Sequence, residues 1–524
     1  MSMKKGGPSG AEESAPSRAG QDQSRKEMTR GAGLALLGRL GALVEAAGFP
    51  IFLWLYGSVT FGLFATLYAI VRMASGVTQM GMDVALQRFI PSYDDEDAIH
   101  RTLAIALLIT MGAGIIGALL LIFYAPMLAR MIDGDGEDTQ HIVTVIRIYA
   151  VTLPLWTSVE VLTASVRSRR KFGPEIRIRF FYEQILRIVI AVGLAFVGLT
   201  TYGLFLAHIL SLAIAALLSF FLVARFYDYK RLFMAGYDPK LAKAMLHFAL
   251  PMMPATLIQR IFSEFPVLVL NIIIPGAAGA SAAGFYSIAR KLSSVMQVIH
   301  NSFDYVVAPL AAFQKGRGDR ETLADMYAYS TRLMVAFGVI LAGAMVGSHH
   351  ALLDMLGPES EPAAVALVIL VLGRLLTFFF GQAPAMVRSL SSTYWTLGNG
   401  LLGLLAMLGL LYLLVESHGP AGAALAAAAG LILSRGVALI EVYFLSRLWP
   451  YSKEMWKPLF VSICLSLILF TSGVLLKNTL APVQILVLVV LLILSILAFF
   501  RYGLSAPDAK ALGRLAHFAR RGLH

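Results

Sequence analysis

Cysteine is almost missing from this sequence: of 524 residues, only Cys464 carries a thiol. An internal disulfide and a cysteine metal cluster are thereby excluded. The residue sits in an apolar run, Leu459 to Val474, where a thiol serves as a small filler facing lipid or core. Charge is scarce too. Only 14% of residues are Asp, Glu, Lys or Arg, against roughly 25% in an ordinary soluble domain. No stretch between apolar runs is long enough for a soluble catalytic domain. Walker A, His-Glu-x-x-His and Gly-x-Ser-x-Gly motifs are absent. His349-His350 has no nearby carboxylate cluster to complete a metal site and reads as interfacial polarity. No metal, cofactor or enzymatic activity is expected.

Apolar residue is what the chain has in excess, at 58% hydrophobic and a mean hydropathy of +0.74. It falls into many runs of about 20, the length that crosses roughly 30 Å of hydrocarbon as a helix. The runs do not alternate as barrel strands would. The expected fold class is an all-α integral membrane protein with about fourteen spans. They are placed at 33–55, 62–82, 102–130, 142–165, 178–198, 201–224, 245–272, 281–307, 330–351, 362–386, 395–415, 420–445, 457–476 and 480–500. The eighth is the most polar, interrupted by Arg290, Lys291, His300 and Asp304. Residues 1–30, rich in Ser, Gly and charge with no apolar stretch, read as a disordered tail and not as a signal peptide.

Loop charge orients the spans. Basic clusters follow even-numbered spans: Arg167 to Lys171, Arg225 to Lys243, Lys315 to Arg320, Lys453 with Lys457, and the tail from Arg501 to Arg521. The opposite loops hold almost no Lys or Arg, and the one at Asp133–Asp138 is acidic. Both termini are therefore placed in the cytoplasm, and the net charge of +12 needs no nucleic-acid partner.

The chain also repeats. Gly62-Leu63-Phe64 and Gly284-Phe285-Tyr286 open spans 2 and 8, at an offset of 222 residues. Val166-Arg167-Ser168 and Val387-Arg388-Ser389 leave spans 4 and 10, at 221. Thr201-Tyr202-Gly203 and Pro420-Ala421-Gly422 begin spans 6 and 12, at 219. Each six-helix half starts and ends on one side, which makes the halves parallel repeats with a site between them. The expected organisation is a tail at 1–30, a lobe at 31–228, a second lobe at 229–450, two appended helices at 451–503 and a cytosolic tail at 504–524.

With these features the sequence resembles the polysaccharide flippases of the multidrug/oligosaccharidyl-lipid/polysaccharide (MOP) exporter superfamily, over about residues 30–500. The carriers are Tyr56-Gly57-Ser58-Val59-Thr60-Phe61-Gly62-Leu63-Phe64, the stretch Met80 to Ile90, Phe248-Ala249-Leu250-Pro251, Gly284-Phe285-Tyr286 and Ala308-Pro309-Leu310. The resemblance implies two six-helix lobes flanking a cavity that opens alternately to either side. It implies, as cargo, an undecaprenyl-diphosphate-linked oligosaccharide moving to the outer leaflet of the bacterial inner membrane for polysaccharide or lipopolysaccharide synthesis. Membrane lipids and polysaccharide polymerase machinery are the other implied partners.

Charges inside spans cost roughly 2.5–3.5 kcal/mol each at mid-helix on insertion scales, so each needs a reason. Arg39, Arg72, Arg260, Arg290, Lys291 and Arg374 are the candidate cavity cations, because guanidinium forks match phosphate oxygens. Glu45, Glu160 and Glu264 are candidate protonation or coupling sites. Local pairing competes with function at several positions. Arg260 with Glu264 and Glu183 with Arg187 are one turn apart, and Arg435 with Glu441 reads as a late structural pair. Rival readings are a cation-coupled drug or metabolite antiporter, a lipid II flippase, and a membrane-embedded glycosyltransferase or polymerase. The first would carry carboxylates in its cavities, and the last would need a sizeable outer loop. Reporter fusions active only outside the cell should light up after Ala278 and Glu359 and stay dark after Arg170, Arg317 and Lys453. A bright fusion at Arg170 would overturn the span count.

Overall fold

The computed structural model describes residues 18–133, 138–169, 171, 173–317, 320–354, 361–391 and 393–504. Most of both tails and the centre of the acidic loop at 133–138 lie outside the described residues, and so does Glu359. Every regular element among the described residues is helical. The first helix, Arg18–Thr78, begins inside the stretch read as a tail, where Arg, Gln, Lys and Glu are good helix formers.

Ten described helices are long and apolar enough to cross a membrane by length and composition. Two of them turn back on themselves. Glu45 and Tyr68 lie 23 residues apart, about 34 Å along a straight helix, yet the Tyr68 hydroxyl donates to Glu45 Oε1 at 3.4 Å. The reversal is at Gly57, whose φ of 78° is one that side-chain-bearing residues rarely adopt. In helix Thr393–Ser446, Asn399 Nδ2 donates to Glu441 Oε2 at 2.6 Å across 42 residues, and the break is Gly419 at φ 51°. Two further helices complete the bundle. Helix Gly276–Arg317 is 42 residues long but carries Arg290, Lys291 and Asp304. Helix Glu183–Phe196 continues a π-helical turn at Arg177–Tyr182. Two passes for each reversed helix bring the count to fourteen among the described residues.

The pattern of burial fits this arrangement. Of an apolar 18-residue stretch within Leu323–Gly347, 83% of the residues are buried inside the bundle, against 22% for such a stretch in Lys453–Leu475 and in Ala481–Gly503. Those last two helices present Phe460, Leu467, Leu486 and Ile493 outward, which in water would be costly and in lipid is not.

The two halves of the chain share their cores. Phe285 and Ile288 belong to the aromatic cluster of Phe49, Phe64, Tyr149 and Phe205, and Ala65 and Ala69 belong to the cluster around Val267, Tyr286 and Met334. Residues at matching positions of the repeat meet here. A Cβ on Gly62 would stand 1.6 Å from the Ala280 carbonyl oxygen, and one on Gly284 would stand 3.2 Å from Gly62 Cα. Ser281 donates to Ser58 at 3.2 Å, and Asn271 Nδ2 donates to Thr66 Oγ1 at 2.9 Å. In a Cys464→Ser background, Ser58→Cys with Ser281→Cys should therefore cross-link under mild oxidation, read as a band shift on a non-reducing gel after cleavage of an engineered protease site between the halves. Persistent free thiols would contradict this junction.

Candidate functional site: a charged junction between the halves

Helix Met253–Ile273 carries Arg260 and Glu264 one turn apart, and the structure does not pair them with each other. Arg260 reaches into the first half, donating to Ser75 Oγ at 2.5 Å, the Arg72 carbonyl at 2.9 Å and Gln79 Oε1 at 2.9 Å. Its Nη2 also lies 3.3 Å from Glu160 Oε2. Gly76 makes this crossing feasible, since a Cβ there would sit 2.7 Å from Arg260 Cδ. Glu264 is fully buried. It accepts from Arg290 Nη1 at 3.0 Å and lies 3.3 Å from Arg72 Nε, so cations from both halves converge on one carboxylate. Lys291 completes the set with an ion pair to Glu45 across the same junction.

The local-pair reading of Arg260 with Glu264 is thus corrected. An i,i+4 pair on one helix gains a few tenths of a kcal/mol, whereas cross-helix partners satisfy several donors at once. Glu183 with Arg187 does form an ion pair on its own helix. Arg435 with Glu441 does not: Glu441 is taken by Asn399, and Arg435 donates to Thr377 Oγ1 at 3.2 Å. Arg374 donates to Gln297 Oε1 at 2.7 Å, away from the junction carboxylates. The Arg39 side chain lies outside the described residues.

Beside the junction is a cavity of about 310 Å³. Of the candidate cations, Arg72 and Arg260 line it; of the candidate carboxylates, Glu45 and Glu160 do. Arg290, Lys291 and Glu264 are not among the residues that line it. The cavity is not the uniformly positive surface that a count of basic residues would give. Arg72, Arg167, Arg179 and Arg260 share it with Glu45, Asp83, Glu160 and Glu183. Arg179, which is not among the candidate cations of the sequence, binds Glu160 Oε1 at 2.7 Å and Glu175 Oε1 at 3.2 Å. Trp156 Nε1 donates to the same Glu160 oxygen at 3.0 Å. Arg179 is recognisable in sequence only as an intramembrane charge near the basic end of its span. Glu175 lies one turn away along the chain, but Glu160 comes from helix Thr152–Ser168, and spacing could not reveal that partner.

Among the described residues the protein is an all-helical bundle with helices of membrane-spanning length, and its two halves meet through charged groups beside a cavity. The chain belongs to the polysaccharide biosynthesis protein family, matching it over residues 56–359. Among solved structures it is similar to the lipid II flippase MurJ in an inward closed conformation, with a TM-score of 0.67 and 15% identity. That match covers 89% of this chain and 98% of the other. It is also similar to an inward-facing multidrug resistance MATE family transporter of the MOP superfamily, with a TM-score of 0.63, 16% identity, and 79% and 94% coverage. A third likeness is to a MOP superfamily transporter from Pyrococcus furiosus, with a TM-score of 0.52, 15% identity, and 79% and 93% coverage. No curated protein matches the sequence. The first of these structural neighbours is a flippase and the other two are transporters.

Removing one partner of a buried ion pair costs about 3–5 kcal/mol, because the other charge stays buried. Arg290→Gln should therefore lower stability by that order, and the double variant Glu264→Gln, Arg290→Gln should lose clearly less than the sum of the same two single changes. A double-mutant cycle of thermal unfolding in detergent measures this. Additive losses would show that the pair is not coupled.

Proposed function

We propose that the protein is a flippase that carries an undecaprenyl-diphosphate-linked oligosaccharide from the cytoplasmic to the outer leaflet of the bacterial inner membrane. The observation that supports this reading best is the sharing of buried Glu264 by Arg72 of one half and Arg290 of the other. A diphosphate offers more oxygens than a carboxylate and suits guanidinium forks in bidentate geometry. Cargo entering the junction takes the place of Glu264 on Arg72, and the halves lose one of the ties that hold them. Glu160 on Arg260 and Glu45 on Lys291 are exchanged in the same sense. In the absence of cargo each of the four junction cations keeps a carboxylate within ion-pair distance, and Glu264 serves two of them, so the junction retains a positive excess for an anion to meet.

In this reading residues 31–228 and 229–450 are the two lobes that rock about the junction, and 451–503 pack outside them. Both termini face the cytoplasm. The prenyl tail remains in lipid while diphosphate and sugars cross between the lobes. Protonation of Glu45, Glu160 or Glu264 would weaken the same ties and supply coupling to an ion gradient. The product, a lipid-linked oligosaccharide on the outer leaflet, is the substrate form that a polymerase of surface polysaccharide or lipopolysaccharide needs.

Arg72 is the residue to test, because its side chain is 36% exposed and its loss leaves Glu264 still bonded to Arg290. Arg72→Ala should reduce surface polysaccharide at least tenfold in a complementation assay at wild-type expression. Arg72→Lys should fall between the two, since an ammonium keeps charge and loses the fork. Full export by the combined Arg72→Ala, Arg290→Gln variant would remove the basis of this reading.

A further inference from the structure

Two guanidinium groups stand apart from the junction in the way they are held. Arg374 and Arg435 lie on neighbouring passes of the second half, and among the described residues neither has a carboxylate at ion-pair distance. Their partners are neutral. Arg374 Nη1 donates to Gln297 Oε1 at 2.7 Å. Arg435 Nη1 faces Thr377 Oγ1 at 3.2 Å and His300 Nδ1 at 3.5 Å. Gln297 and His300 are three residues apart on helix Gly276–Arg317, and Arg374 and Thr377 are three apart on helix Glu361–Phe379. The side chains therefore occupy matching successive turns of two facing helices. Arg435 is only 9% exposed. The nearby Asp304 does not neutralise it, because Arg388 holds that carboxylate at 2.6 Å.

Such an arrangement is expensive without an anion. An isolated buried charge costs several kcal/mol even after relaxation, and the side chains in contact with these two arginines supply dipoles alone. Each guanidinium has five N–H donors; Arg374 is seen to use one, and Arg435 makes its two contacts through Nη1 alone. The junction cations, by contrast, all have carboxylates.

We propose that Arg374 and Arg435, with Gln297, His300 and Thr377, form a second oxyanion-binding site within the second half, distinct from the Arg72–Glu264–Arg290 junction. The inference rests on the flippase reading for the source of its ligand. The shared chemistry is a planar or tetrahedral oxyanion: a phosphate of the lipid carrier, or the carboxylate of an acidic sugar in the oligosaccharide. Two sites of this kind would let one cargo be held at two points along its length, with its sugar part read by the second half.

The test uses the full chain in detergent, titrated calorimetrically with inorganic pyrophosphate and, separately, with glucuronate. The wild-type protein should bind at least one of the two. The double variant Arg374→Gln, Arg435→Gln should weaken that binding at least tenfold, while Arg72→Ala leaves a component of it intact. Loss of pyrophosphate binding assigns the site to the lipid phosphate, and loss of glucuronate binding assigns it to an acidic sugar. Should the double variant unfold, phenylglyoxal labelling of the wild-type protein with peptide mass spectrometry gives the same information. A bound anion should slow modification of Arg374 or Arg435 several-fold. Unchanged affinity in a folded double variant, or no protection by either anion, overturns the second site. Either result would leave the flippase reading standing if Arg72→Ala still abolishes export, so the two can fail separately.

Discussion

At the junction each buried charge meets an opposite one, and in the pairs Arg72–Glu264, Arg260–Glu160 and Lys291–Glu45 the two partners come from different halves of the chain. Glu264 is the clearest case. It has no exposure to solvent, and its neutralising groups come from two separate helices, with Arg290 on Gly276–Arg317 and Arg72 on Arg18–Thr78. In hydrocarbon none of these groups is tolerable alone. The arrangement therefore brings the two halves to one place and sets the depth at which they meet. Glu160 with Arg260 and Glu45 with Lys291 do the same one layer away.

The close packing at Gly62, Gly284, Ser58 and Ser281 is the steric counterpart of that electrostatic constraint. Side chains larger than hydrogen at Gly62 could not fit against the Ala280 carbonyl, so the backbones approach far enough for the charged layer to form. Gly76 has a similar part at one point only, leaving room for the Arg260 stem to cross. Apolar packing then seals what the charges align, with Phe285 inserted among the aromatics of the first half and Ala65 among the side chains of the second. The polar layer and the shared cores together make a junction that is tight but whose bonds are exchangeable. Ion pairs can be taken over by another anion, and interdigitated methyl groups cannot.

Charge is distributed unevenly over this frame. The cavity beside the junction has equal numbers of guanidinium and carboxylate groups in its wall. The positive excess that composition announces lies elsewhere, partly in the basic loops and partly in Arg374 and Arg435.

Much of this was already determined by sequence. Runs of about 20 apolar residues can satisfy their backbone in lipid only as helices, so fold class and pass count follow from hydropathy, and the repeat identifies the polar eighth span as a pass. That Arg72, Arg260 and Arg290 carry some function or pairing also follows, since a charge in a span is too costly to be idle. Which carboxylate each one meets was decided by tertiary structure alone. Spacing along one helix suggests Arg260 with Glu264 and Arg435 with Glu441, and neither pair forms, because the better partners stand on helices up to 192 residues away in sequence, as with Arg72 and Glu264. Periodicity reports which face of a helix a residue occupies. It carries no information about which other helix that face will meet, and in a bundle that is what distinguishes a neutralised arginine from one still free to bind an anion.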